Sequence, residues 1–444
     1  MTGSPPAKAW GHLADGSFTR HTQPRARTRA EDRANNGWKQ TLRLPLWVSA
    51  LVATLIVQTV SSFASLAVPL LGPPLMARAG LLPESIGIVS AMTSAGICWC
   101  LACGGPMLAH HGPVRTLQLG LACMALGLFI LAQPLGLLGL IGALAVGFGT
   151  GHNTPAGSQI LIRAAPARHR TLIFSIKQAG VPLGGALAGL GMAPMVLALG
   201  LSAALGIVIG VALLTTLVVQ PFRQRLDQDR GAGRPGWARA LLSPAALARS
   251  VSILRAHPSL PLLTALGVSF SVMQSCLMAF TATYVITRHG TSLAEAGRIV
   301  ALMLGASIVG RVGMGWVADR MGGALRHLAL QAVASALAVG LLVAAGGQGP
   351  WALYGCAALA GFTAIGWNGV HMAELARVAP LHAVSDVTSA ASLFGFAGSI
   401  CGPLVFTLIV SWSGSYDLAF LLVAAQLTCF GVATMAFRRR GSQN

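Results

Sequence analysis

"LWVSALVATLIVQTVSSFASLAVPL", residues 46–70, contains no charged side chain. A helix rising 1.5 Å per residue crosses a hydrocarbon core of about 30 Å in roughly 20 residues. The stretch lacks the period-two alternation of a barrel strand, so a membrane-spanning helix is the reading that fits. Comparable stretches follow at 85–109, 115–133, 136–162, 171–195 and 197–219. A second set lies at 261–286, 295–317, 328–346, 351–373, 387–411 and 417–436. Six spans, a polar segment and six more predict an all-α membrane protein, with twelve transmembrane helices in two pseudo-symmetric six-helix bundles. The implied plan is a disordered basic cytoplasmic tail (1–44), a first bundle (45–220), a cytoplasmic linker with an interfacial helix (221–260), a second bundle (261–437) and a short cytoplasmic tail (438–444).

Composition agrees. Hydrophobic residues make up 54% and charged residues 9% of the 444, where a soluble domain carries about 25% charged. The net charge of +19 follows from how the basic residues are spread. With a cytoplasmic N-terminus, only Arg78, Arg288 and Arg298 fall outside, while Lys177 and Arg311 fall within spans. Every other Lys and Arg lies inside. That asymmetry predicts an inner-membrane protein with both termini cytoplasmic. Charge scattered over many short loops does not make a nucleic-acid surface. Residues 237–256 alternate apolar and basic faces and are expected to lie against membrane lipids. The eight cysteines all sit in spans. Cys98, Cys100 and Cys103 have a metal-like spacing, but no His or acid completes a set on one helix face. No cofactor, metal or enzymatic activity is expected.

The two halves echo each other. "ESIGIVSAM" (84–92) answers "EAGRIVALM" (295–303), "GPMLAHHG" (105–112) answers "GWVADRMG" (315–322), and "GFGTGHN" (147–153) answers "GFTAIGWN" (361–368). Three echoes in register imply a duplicated six-helix unit with a substrate site between the halves near the midplane. On "GRVGMGWVADRMG" (310–322) the chain resembles the major facilitator superfamily of transporters, and the resemblance covers about 45–436. It implies that Arg311, Asp319 and Arg320 are gate residues that latch the halves in one state and release them in another. In the first-half copy Ala109 stands where the family's Asp is expected, followed by His110 and His111. The usual arginine early in the fourth helix is missing as well.

The resemblance also implies that helices 1, 4, 7 and 10 surround the central cavity. Each carries polar residues at helical spacing: Gln58, Ser61, Ser62 and Ser65; His152, Asn153, Gln159 and Arg163; Ser271, Gln274, Thr281 and Tyr284; Trp367, Asn368, His371 and Glu374. Lys177 lies about 10 Å into helix 5. Its charge either snorkels to the interface or faces a cavity and serves function. No Asp or Glu lies deep in a span to pair with it. The expectation is a monomeric secondary active transporter of a small organic anion. Lys177 and Gln178 bind it, with help from Gln58, His152, Asn153, Gln274, Asn368 and His371. Proton coupling would run through His152 or His371. The alternatives are an exporter of hydrophobic or drug-like compounds and a non-transporting membrane receptor.

Overall fold

The computed structural model describes residues 45–133, 138–166, 170–227, 254, 259–320, 324–346, 348–379 and 384–441. The expected tail at 1–44, the expected interfacial helix at 237–256 apart from Leu254, and the side chain of Asp319 lie outside what is described. The spanning elements are α1 (Leu46–Leu70), α2 (Ile86–Cys103), α3 (Pro113–Leu131), α4 (Gly139–Gly151 and Asn153–Ala164), α5 (Arg170–Leu199) and α6 (Leu201–Val219). The second set is α7 (Ser259–His289), α8 (Leu293–Arg320), α9 (Ala324–Ala344), α10 (Pro350–Ala360 and Asn368–Val378), α11 (Val384–Ser413) and α12 (Tyr416–Gly441).

Among the described residues, 10 helices are continuous, long and apolar enough to cross a membrane. The two spans missing from that count are α4 and α10, and each is interrupted. In α4 the break falls at His152. Pro155 explains it: the residue has no N–H to donate, and its ring crowds the carbonyl four residues back, at Gly151. In α10 a π turn, Gly361–Ile365, separates the two pieces. The break positions are the third sequence echo. The stretch 85–109 is likewise two helices, because α2 stops at Cys103 and Gly105–His111 starts afresh with Pro106 in its first turn.

The packing has internal symmetry. In the first bundle α1 lies along α5, α4 sits between α2 and α3, and α6 covers α3. In the second, α7 lies along α11, α10 sits between α8 and α9, and α12 covers α9. Glycine sets the closeness. A Cβ on Gly147 of α4 would overlap the Thr93 carbonyl oxygen of α2, and one on Gly361 of α10 would overlap the Met303 carbonyl oxygen of α8. Bare backbone lets helices approach where lipid supplies no hydrophobic drive between them. Outward, Leu197, Leu217, Leu337 and Leu408 are exposed, as a lipid-facing surface requires. Trp351 and Trp412 stand at helix ends on one face, where an interfacial belt would hold them.

The bundles meet through α5 with α8 and α2 with α11, again a symmetric pair. A Cβ on Gly189 or Gly297 would strike the other's carbonyl oxygen. A Cβ on Gly87 would overlap the Thr407 hydroxyl and the Pro403 carbonyl, and the Thr407 hydroxyl donates to the Glu84 carbonyl at 2.9 Å. Gly72 backs onto Thr283 and Ile86. These contacts cluster at the end that the charge distribution assigns to the outside. That end is closed. Toward the other end α4 has no substantial contact with the second bundle, nor α10 with the first.

At the α2–α3 corner the missing carboxylate is supplied from elsewhere. Asp227, just past α6, accepts from the backbone N–H of Val114 at 2.8 Å and of Arg115 at 3.3 Å. Arg223 lies 3.6 Å from the same carboxylate. An anion at the first turn of α3 satisfies orphan donors and complements the helix dipole. Gly112 makes room: its φ is +80°, and a Cβ there would lie 3.0–3.3 Å from the carboxylate atoms.

Two outcomes follow. Asp227→Ala should destabilise the purified protein by about 1–2 kcal/mol, read as a lower unfolding temperature in detergent, with Asp227→Asn intermediate. An unchanged temperature would show that the cap contributes nothing. Gly297→Val should prise α5 from α8. A Thr283→Cys probe, buried in the closed end, should then react several-fold faster with an impermeant thiol reagent than it does beside Gly297.

Candidate functional site

Lys177 is 2% exposed. Its ammonium does not snorkel; it turns into the first bundle between α1, α4 and α5. Nζ donates to the backbone carbonyl of Asn153 at 3.1 Å and to Gln178 Oε1 at 3.2 Å. Gly157 of α4 leaves the space: a Cβ there would lie 3.0 Å from Cε and 3.4 Å from Nζ of Lys177. Both acceptors are neutral. Among the described residues the ion pairs are Arg223–Asp227, Arg288–Asp417 and Arg377–Glu374, and Lys177 is in none of them. A buried cation held only by dipoles is costly, of the order of several kcal/mol for an ion without a partner charge.

Of the residues expected at the site, Asn153 and Gln178 touch the ammonium, and others stand on the neighbouring helices. Asn153 is buried; its carbonyl serves Lys177 and its Nδ2 has no partner. Gln58 is buried against Gly180 of α5, donates to Ser62 Oγ at 3.4 Å and leaves Oε1 unpaired. Gln159 Oε1 is also buried without a partner. Gln178 is exposed, so it covers the ammonium on the open side. Among the described residues no hydrogen bond joins the His152 side chain to this group. Its Nδ1 lies 2.9 Å from the Phe148 carbonyl, its ring stands edge-on to Phe148, and its Nε2 is buried without a partner.

A second cluster forms between α7 and α10. Trp367 Nε1 donates to Gln274 Oε1 at 2.9 Å, and its ring stacks on Phe270 at 5.1 Å. His371 packs edge-on to Trp367, with Nε2 2.9 Å from the Leu263 carbonyl and Nδ1 buried without a partner. Asn368 is exposed. Other members of the polar stripes do structural work. Thr281 donates to the Leu277 carbonyl, and Tyr284 donates to Asp417 of α12 at 2.8 Å. Glu374 is buried and accepts two bonds from Arg377, at 2.7 and 2.6 Å, so its charge is already matched.

At the expected gate, Arg320 lies over the Trp316 ring, 3.5 Å from its centroid. Arg311, in α8, has its Nε buried with no acceptor. Sequence reasoning singled out Lys177, and Gly180 as a glycine of close helix approach, but missed Gly157; the two glycines create the space that Gln58 and Lys177 occupy. Their signal was present, small residues on helices that carry polar side chains, but which helices would meet was not legible. Trp367 as the centre of the α7–α10 cluster was seen only as a neighbour of Asn368.

If the ammonium is held for function at the expense of stability, Lys177→Met, of similar length and without charge, should leave the unfolding temperature in detergent unchanged or raise it. A fall of many degrees would mean that the ammonium is a structural anchor.

Comparison with known proteins completes the picture. The sequence profile of the Major Facilitator Superfamily matches residues 47–403. An uncharacterized MFS-type transporter of Mycobacterium tuberculosis is 29% identical over 317 residues, covering 69% of this chain and 67% of the relative. Among solved structures, the peptide transporter POT in complex with sulfate superposes with a TM-score of 0.72 at 16% identity, covering 88% of this chain and 94% of that one. A bacterial homolog of the human lysosomal transporter Spinster, inward-facing and occupied, gives 0.70 at 15% identity, covering 90% and 98%. At such identities the structural likeness speaks to fold alone.

Proposed function

Because the chain belongs to the major facilitator superfamily, and so is a multi-pass membrane transporter, we propose that it carries a small organic anion across the inner membrane by alternating access. The observation that carries this reading is the Lys177 ammonium, buried with two neutral acceptors and no carboxylate among the described residues. In the proposed cycle the bundles part on the cytoplasmic side, opposite the closed end. An anion entering there displaces Gln178 Oε1 from Nζ, exchanging a dipole for a full charge, while the freed Gln178 amide can donate to the anion. Asn153, Gln58, Gln274, Asn368 and His371 are assigned to its polar surroundings.

The same arrangement suggests how transport is kept tight. Closing the bundles over an unbalanced cation costs desolvation energy that nothing repays. A bound anion neutralises the charge, so the loaded carrier closes more readily than the empty one. A substrate shifts a conformational equilibrium only by its differential affinity for the two states, and here charge neutralisation supplies it. Proton coupling is assigned to His152 and His371, each of which has one ring nitrogen on a carbonyl and the other buried without a partner.

The test is uptake into proteoliposomes. Lys177→Ala should abolish saturable uptake of a carboxylate while leaving the protein folded; undiminished uptake removes the anion assignment. Wild-type uptake should vary with pH, and His152→Gln or His371→Gln should flatten that profile. The same flat profile in all three proteins removes proton coupling. Ligand stabilisation without any flux would identify a receptor instead.

A further inference from the structure

Gly185 of α5 and Leu304 of α8 touch across the bundle interface: a Cβ on Gly185 would lie 2.5 Å from Leu304 Cδ1. The helices run in opposite directions there. Moving two turns, about 10 Å, from this contact toward the open end brings one to Gln178 on α5 and to Arg311 on α8. Seven residues return a helix to the same face, so both side chains continue the stripes that met at the contact. On α8 that stripe is Gly297, Ala301 and Leu304, all of which pack on α5. Gly310, one position before Arg311, instead backs onto the Phe362 carbonyl of α10. The backbone nitrogen of Arg311 lies close to Gly366 at the α10 break, while its side chain, about 100° round the helix from Gly310, continues the stripe that meets the first bundle. Gln178, at the same depth, is exposed. On this placement a cation stands on each side of the bundle boundary: Lys177 behind Gln178, and Arg311 opposite.

A latch would need a carboxylate beside Arg311. Among the described residues no ion pair includes it, and its Nε is shut away from solvent with no acceptor. An unpaired guanidinium presents a planar fork that suits a carboxylate or phosphate in two-pronged fashion. Building on the proposed anion site, we infer that Arg311 is a substrate-binding residue of the second bundle. The transported anion then carries two negative groups, one held by Lys177 and Gln178 and the other by Arg311. A monoanion satisfies one bundle and leaves the other charge unmatched. A short dianion neutralises both and draws the bundles together, so Arg311 sets specificity for charge number.

The experiment compares matched anions on the purified full-length protein by thermal shift: succinate and glycerol 3-phosphate as dianions, butyrate and lactate as monoanions. Dianions should stabilise the wild type at lower concentration. Arg311→Gln should weaken dianion binding about tenfold or more and monoanion binding less than twofold, the first being the cost of leaving one charge of the ligand unpaired. Arg311→Lys should recover part of the preference, which also controls for misfolding. An unchanged ratio of dianion to monoanion affinity in Arg311→Gln overturns the assignment while leaving the Lys177 reading in place. Equal loss for both classes overturns it as well, because Arg311 would then not read the second charge. Failure of every anion to stabilise the wild type removes both readings together.

Discussion

Hydrocarbon offers a backbone no hydrogen bonds, and most of this architecture is a response to that constraint. Each segment must pair its own N–H and C=O groups, so each becomes a helix. Departures are tolerated only where protein or a cavity replaces lipid. Besides the break that ends α2 at Cys103, the described spans depart at His152 in α4 and at Gly361–Ile365 in α10, which are equivalent positions in the two bundles. Broken helices at matching places are where transporter folds build their sites, and here the two polar clusters begin at the breaks.

The second organising element is backbone against backbone. Glycine binds α2 to α4 and α8 to α10 within the bundles, and α5 to α8 between them. Such contacts are short-ranged. They hold fully or are lost, which suits an interface that must exist in two arrangements. The closed end is sealed by them together with the Thr407–Glu84 bond, and no ion pair among the described residues crosses it. Release there does not require separating buried charges.

Charge is used sparingly, and its placement divides into two kinds. Asp227, Asp417 and Glu374 each sit beside an arginine; Asp227 and Asp417 tie helices of one bundle together, and Glu374 pairs within α10. Asp227 stands in for the acid that the first loop motif lacks, reached from the far end of α6. Lys177 and Arg311 have no such partner among the described residues. Two cations in the spans without an ion pair, Lys177 in the first bundle and Arg311 in the second, place an electrostatic demand within the described residues. The proposed anion is what meets it.

The spans, their pairing into two repeats and the isolation of Lys177 were legible in the chain alone, because hydropathy, echo and the absence of deep acids are all local or countable properties. Lys177 stood out since no charge in any span could answer it. Its surroundings did not: that Nζ would turn inward to the Asn153 carbonyl depends on Gly157 standing opposite, a meeting of α4 and α5 that spacing along one helix cannot reveal. The same holds for Arg311. Sequence placed it in a loop motif, whereas the packing of α8 on α5 decided which way it faces. Asp227 shows the limit most clearly, since its partners at Val114 and Arg115 are more than a hundred residues away. Local pattern determined which helices form, because backbone pairing in lipid is settled within a segment. Contact between segments decided which side chains share a space, because that depends on the rotation of each helix about its axis.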